Sequence, residues 1–73
     1  MLRVANVGAE AAMESIRDAL DQLGVDYAHI RSEPKDDYYP QTAYFYVPDG
    51  SADEVDRVMQ ELSEEYGFEA ELL

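Results

Sequence analysis

The 73-residue chain has no cysteine and no long apolar run. Without cysteine, disulfides, thiolate zinc sites and cysteine nucleophiles are excluded. The first residues lack an apolar stretch of the length that a signal peptide or a membrane span needs. We therefore expect a soluble, cytoplasmic protein that does not contact membranes. The length predicts one domain spanning residues 1–73.

Positive charge is also scarce. Lys and Arg number five against seventeen Asp and Glu, which gives a formal net charge of −12. The apolar fraction is nevertheless 47%, with six Tyr and two Phe, whereas disordered acidic chains are poor in such residues. The chain should therefore fold with a strongly anionic surface. Because nucleic acids and anionic lipids are bound by clustered Lys and Arg, we expect no direct nucleic-acid binding and a basic protein surface as the partner.

Catalytic and ligand-binding motifs are missing as well. His29 is the only histidine, and no serine motif accompanies it for a Ser–His–Asp arrangement. The Asp-x-Asp-x-Asp-Gly calcium pattern is absent, and Gly8 belongs to neither glycine-rich phosphate-binding motif. These absences predict a protein that is not an enzyme and that holds no metal and no cofactor.

Two amphipathic helices are predicted. The first covers residues 9–23 and ends at Gly24, where a left-handed residue is needed. Its apolar residues recur at three- and four-residue steps: Met13, Ile16, Leu20 and Leu23. The second begins with a capping box in which the Ser51 hydroxyl and the Glu54 carboxylate each accept a backbone N–H. Its apolar stripe is Val55, Val58, Met59, Leu62 and Tyr66, and Gly67 ends it.

Four strands are predicted from short runs of branched and aromatic residues. They lie at residues 2–7, 25–31, 41–47 and 68–73, and a polar loop at residues 33–37 separates the second from the third. The resulting β-α-β-β-α-β order predicts an α+β fold of the ferredoxin-like type, a four-stranded antiparallel sheet with both helices on one face. Because this architecture hosts many unrelated activities, it carries no function by itself.

Strand alternation divides the side chains between the two faces of this sheet. The helix-facing set is predicted to be Ala28, Ile30, Ala43, Phe45, Val47, Phe68, Ala70 and Leu72. The open face is predicted to carry Tyr27, His29, Arg31, Thr42, Tyr44, Tyr46, Glu69 and Glu71. Tyr44 and Tyr46 are candidate contact residues, because tyrosine supplies a large contact area at low entropic cost. Shielding of the sheet backbone, or a homodimer, explains these rings equally well, so both monomer and homodimer stay open.

The acidic residues concentrate on the two helices. Ten of the seventeen are predicted to lie on the helices away from the apolar stripes: Glu10, Glu14, Asp18, Asp21, Asp53, Glu54, Asp56, Glu61, Glu64 and Glu65. Only Arg17 and Arg57 offset them within these helices. Carboxylates at three- and four-residue intervals lie ~5–6 Å apart at Cβ and destabilise a helix. A small domain needs a net charge of only ~2–8 for solubility. We therefore interpret the ten acids as a partner-binding surface that imitates a nucleic-acid strand.

Small size, surplus acid and missing catalytic residues together resemble the phage-encoded acidic inhibitors, among which several anti-CRISPR proteins act as DNA mimics. The resemblance is one of size, charge and plan, with no diagnostic motif. It implies that the helix-borne carboxylates dock on a Lys/Arg-lined channel of a CRISPR effector complex and exclude target DNA. Such association is steered electrostatically and weakened by salt.

Two alternatives belong to other classes. The chain resembles in plan the amino-acid-binding regulatory domains of the ferredoxin-like type (ACT-like), which act as dimers and would bind a ligand near Gly8. It is also consistent with an ordinary domain from a salt-adapted organism, in which acid excess is general. A salt-adapted domain should unfold at low salt, whereas a mimic should stay folded there and bind more tightly.

Overall fold

A computed structural model describes residues 1–34 and 38–73. The elements follow in the order β1 (Leu2–Val7), α1 (Glu10–Gln22), β2 (Ala28–Glu33), β3 (Gln41–Tyr46), a single 3₁₀ turn (Asp49–Ser51), α2 (Ala52–Tyr66) and β4 (Glu69–Leu72). The strands form one antiparallel sheet in the order β2-β3-β1-β4. The predicted α+β, ferredoxin-like fold is confirmed.

The core lies between the sheet and the two helices. Alternate residues of β1 and β3 are buried there, with Val4, Ala43 and Phe45 completely inaccessible. Helix α1 contributes Ala12, Met13, Ile16 and Leu20, and α2 contributes Val55 and Met59. The predicted stripes are therefore largely confirmed. Val58 and Leu62 are only partly buried, and Tyr66 is 38% exposed because it lies in the last turn of α2.

Glycines end both helices as predicted. Gly24 and Gly67 have φ values of 71° and 78°, the left-handed region that only glycine adopts without steric cost. The Gly67 amide donates to the Ser63 carbonyl at 2.8 Å and so closes the last turn of α2.

The predicted capping box at the start of α2 is wrong. Ser51 makes no side-chain capping hydrogen bond, and its φ and ψ are −106° and 1°. A capping serine has extended backbone, which turns its hydroxyl back toward the amides of the first turn. The 3₁₀ turn at Asp49–Ser51 winds the chain before α2 begins and removes that geometry. The residue that starts this turn, Pro48, is the one with extended backbone.

Strand β2 is where the sequence interpretation fails most. It runs over Ala28–Glu33, three residues later than predicted at its start, so Glu33 ends a strand and does not begin the loop. Residues 35–37 of the predicted loop lie outside the described residues. The β2–β3 register pairs His29 with Phe45 and Arg31 with Tyr44, which leaves Ile30 as an extra residue in a bulge.

The bulge reverses the predicted facing of the residues before it. Residues paired across antiparallel strands share a face. Ala28, opposite Tyr46, therefore lies on the open face, and His29, opposite the buried Phe45, lies on the helix side. Ile30 is 50% exposed and outside the core. Tyr27 is also misassigned, since its ring packs against the core with its centroid 6.1 Å from that of Phe45.

Candidate interaction surfaces

The two helices form a layer whose outer side is acidic, and we call their ten carboxylates the helical acids. All ten are exposed, as predicted: Glu10, Glu14, Asp18, Asp21, Asp53, Glu54, Asp56, Glu61, Glu64 and Glu65. The helices pack side by side, and the hydroxyls of Ser15 and Tyr66 lie 2.8 Å apart in a hydrogen bond that joins α1 to α2. The acids of both helices therefore belong to one layer.

Little positive charge offsets this layer. Ten carboxylates against Arg17 and Arg57 leave the two helices with a formal charge of −8. Across residues 1–34 and 38–73, no Lys or Arg nitrogen lies within 4.0 Å of a helical acid. One helical acid accepts a hydrogen bond from a neutral side chain of its own helix, from Gln60 Nε2 to Asp56 Oδ1 at 3.3 Å.

Some helical acids occupy positions that cost helix stability. Neither helix has a basic residue in its last turn, where the helix macrodipole favours positive charge. Instead Asp21 lies at the end of α1, and Glu64 and Glu65 lie at the end of α2. Asp21 also affects a neighbour: desolvation of the Tyr27 hydroxyl and the negative charge of Asp21 raise the pKa of Tyr27.

The open face of the sheet is different in character. The register aligns Arg31, Tyr44, Arg3 and Glu71 across the four strands. Arg3 donates to Glu71 in an ion pair, and the Arg31 guanidinium lies 4.5 Å from the centroid of the Tyr44 ring. Of the two predicted contact tyrosines, Tyr44 is therefore partly covered, whereas Tyr46 is 52% exposed.

The sheet face is nearly neutral. Arg3 and Arg31 stand against the carboxylates of Glu33, Glu69 and Glu71, which leaves a formal charge of −1. A guanidinium nitrogen of Arg31 also lies 3.4 Å from a carboxylate oxygen of Glu33. Both ion pairs in the described part of the chain thus lie on this face, and a shallow depression of about 300 Å³ borders Arg3, Ala5 and β4.

A second depression, of about 240 Å³, lies between α1 and the β2 edge of the sheet. His29 lines it, stacked on Phe45 with a centroid distance of 4.5 Å, and its Nε2 is 2.9 Å from Ser32 Oγ. Sequence reasoning missed this pair because the bulge at Ile30 is what turns both side chains to the same side. Neither of these two depressions is lined by Gly8, where the regulatory-domain alternative expects a ligand.

The environment of His29 favours the neutral imidazole. Burial, and secondarily the charge of Arg17, lower the pKa of His29 below its usual value. A hydrogen bond between the ring and the Arg31 backbone acts in the opposite direction and offsets part of this shift in the pKa of His29. Over residues 1–34 and 38–73, no group of three His, Asp or Glu side chains is arranged to hold a metal ion.

None of the helices described is both long enough and apolar enough to cross a membrane. Comparisons of the chain with protein-family models, with curated proteins and with solved structures found no match.

Proposed function

We propose that the protein is a non-enzymatic inhibitor that uses the helical acids to occupy a basic, nucleic-acid-binding surface of another protein. The observation that carries the proposal is the concentration of a formal charge of −8 on two packed helices whose acids have no cationic partner within 4.0 Å in the described chain. A Lys/Arg-lined channel is the complementary surface for such a layer.

The positions of the helical acids support this interpretation, as their number does. Carboxylates at Asp21, Glu64 and Glu65 oppose the helix macrodipole, at ~0.3–1 kcal/mol each at low ionic strength. Local helix stability therefore does not explain them. A binding function does, because it needs negative charge along the whole length of the layer.

The proposed partner is a DNA-binding complex of the bacterial cytoplasm, and a CRISPR effector complex is the specific candidate. Its channel binds a nucleic-acid backbone through clustered Lys and Arg, which is the surface that the helical acids complement. Occupation of that channel would exclude target DNA.

The test is capture from bacterial lysate at about 50 mM and about 500 mM salt, because exposed charge pairs are screened as salt rises. We expect a DNA-binding complex to be retained at the lower salt only, and to be displaced by added duplex DNA. Retention that is indifferent to salt and to DNA would contradict the proposal.

Two charge-matched variants locate the surface. Changing Glu61, Glu64 and Glu65 to Lys should reduce capture by at least about tenfold, because the introduced positive charges repel the basic surface of the partner. Asp26, Glu33 and Glu69 changed to Lys reverse three exposed charges outside the helices and shift the net charge equally. Equal loss in both variants would show that net charge, and not the helical layer, governs binding.

A further inference from the structure

The open sheet face presents two parallel rows of side chains across all four strands. One is the charged row already described: Arg31, Tyr44, Arg3 and Glu71. The second row lies two residues away from the first, or three in β2 because of the bulge: Ala28 is paired with Tyr46, and just outside β1 and β4 the Leu73 amide donates to the Met1 carbonyl at 2.8 Å. Since Leu2 pairs with both Phe45 and Leu72, the second row reads Ala28, Tyr46, Met1 and Leu73.

The side chains of the second row are apolar and largely accessible. Tyr46, Met1 and Leu73 are 52%, 48% and 66% exposed, and they are half of the six large hydrophobic side chains that the described chain exposes. Scattered single exposures need no explanation, but a contiguous apolar row on an uncovered sheet marks a contact surface. The sheet face is therefore the candidate contact surface outside the helical layer.

Charge favours a second copy of the chain as the occupant of this face. The helical layers of two copies carry a formal charge of −8 each and repel one another, whereas the sheet face carries −1. Of the two broad faces, the sheet is therefore the one through which two copies can approach. We propose that the protein forms a face-to-face homodimer through the open sheet, about a two-fold axis that runs parallel to the strands.

That axis is selected by the order of side chains within the rows. It reverses the strand order in the second copy, so that β2 lies over β4 and β3 lies over β1. Arg31 then faces Glu71 of the second copy, and the Tyr44 ring faces its Arg3. In the apolar row, Tyr46 faces Met1 and Ala28 faces Leu73. Every one of these contacts is complementary.

The other two-fold axis in the plane of the sheets gives no such match. An axis perpendicular to the strands lays each strand over its own copy, which opposes Arg31 to Arg31 and Glu71 to Glu71. Displacement by one row opposes charged side chains to apolar ones, so that no charge pairs form between the two copies. Glu33 and Glu69 lie beyond the charged row at the rim, where water and salt screen their repulsion.

The dimer should be weak. The open face is four strands wide, at ~4.8 Å per strand, and about five residues long, at ~3.4 Å per residue. Its area is therefore well below that of a standard interface, which buries ~800 Å² per partner. We therefore expect a dissociation constant in the micromolar range. Sedimentation equilibrium from about 1 to about 500 μM, in about 0.2 M salt to screen the net charge, should show a rise from 8.3 kDa toward twice that mass.

Charge exchange tests the predicted pairing. Arg31→Glu and Glu71→Arg should each raise the dissociation constant at least about tenfold, because each puts like charges opposite one another. An equimolar mixture of these two variants should associate again. In the mixed dimer, the glutamate introduced at position 31 of one chain faces the arginine introduced at position 71 of the other, and the native pair forms on the opposite side. Tyr46→Asp should also abolish association, while Tyr38→Asp, at an exposed loop tyrosine, should not.

Circular dichroism of each variant establishes that the fold is retained. A wild-type protein that stays at 8.3 kDa up to about 500 μM would overturn the proposal. So would a mixture of the two charge variants that remains monomeric, or an equal loss with Tyr38→Asp. These outcomes are independent of lysate capture, so the dimer and the proposed inhibitor function can fail separately.

Discussion

The helical layer and the open sheet face handle charge in opposite ways. On the helices, ten exposed carboxylates surround two guanidiniums without a close ion pair in the described chain. On the sheet, Arg3 and Arg31 pair with Glu71 and Glu33, and Tyr44 lies under the Arg31 guanidinium. A net charge of −12 therefore describes neither surface. In our two proposals, the placement of the few cations decides which face binds a basic partner and which face contacts another copy.

The largest expected difference between the two surfaces is in their response to salt. Because like charges on the helices repel, we expect the melting temperature to rise with salt by several degrees while the chain stays folded even at about 10 mM salt. Changing Glu61, Glu64 and Glu65 to Lys should flatten that rise. The Asp26, Glu33 and Glu69 reversal should leave most of it. Thermal unfolding followed by circular dichroism measures both.

The salt-adaptation alternative makes the contrary prediction. If the acid excess is a general adaptation to high salt, the wild-type chain should unfold at about 10 mM salt, and it should have no preferred DNA-binding partner. Unfolding under those conditions would remove the argument that the helical acids are placed for binding.

A second prediction tests the side of the sheet on which β2 residues lie. His29 stacks on Phe45 toward the helices, whereas Tyr46 extends from the open face. His29→Ala should therefore lower the free energy of unfolding by about 1 kcal/mol through lost ring contact, and Tyr46→Ala should change that of the monomer by less than about 0.5 kcal/mol. Denaturant titration at low protein concentration measures the free energy of unfolding of each variant. The reverse order would place the bulge elsewhere.

The pH dependence of stability follows from the same placement. Folding lowers the pKa of His29, so the unfolded chain takes up the proton first as the pH falls. The stabilising contribution of the neutral ring is therefore complete above about pH 6.5 and declines below it. His29→Phe keeps the stacked ring but cannot titrate. The free energy of unfolding of the wild type minus that of the variant should fall between about pH 7.5 and about pH 5, and a constant difference would contradict this environment.

The smallest expected effect concerns the cation–π contact on the sheet. Arg31→Met keeps much of the aliphatic length but removes the guanidinium over Tyr44 and its ion pair with Glu33. For a partly exposed pair, the loss should be about 0.5 kcal/mol in the free energy of unfolding of the monomer. In a Tyr44→Leu background the same change should cost less. A full-sized effect in that background would show that the ring contributes nothing.

Sequence periodicity was enough for the parts of the fold that follow regular patterns. A sheet with both helices on one face is predicted by three patterns: the apolar stripes of α1 and α2, their terminal glycines, and the alternation of β3. The exposure of all ten helical acids follows too, because they lie opposite the apolar stripes.

The sequence does not reveal local irregularities of the backbone. One extra residue at Ile30 exchanges the two faces for the residues before it, and neither hydropathy nor composition distinguishes a bulge from a regular strand. The residue types of the capping motif are present from Ser51 onward, but the 3₁₀ turn removes the extended backbone on which the motif depends. The pairing of cations with the sheet depends on register between distant strands, which a single sequence does not reveal.

The uncompensated negative field belongs to the helical layer. Titration of the ¹⁵N-labelled protein with a short lysine-rich peptide, followed through the amide resonances of the protein, tests this most directly. We expect the chemical-shift changes to concentrate in Glu10–Gln22 and Ala52–Tyr66 and to disappear at high salt. Changes centred on Ala28–Glu33 and Gln41–Tyr46, or spread evenly over the chain, would contradict the account.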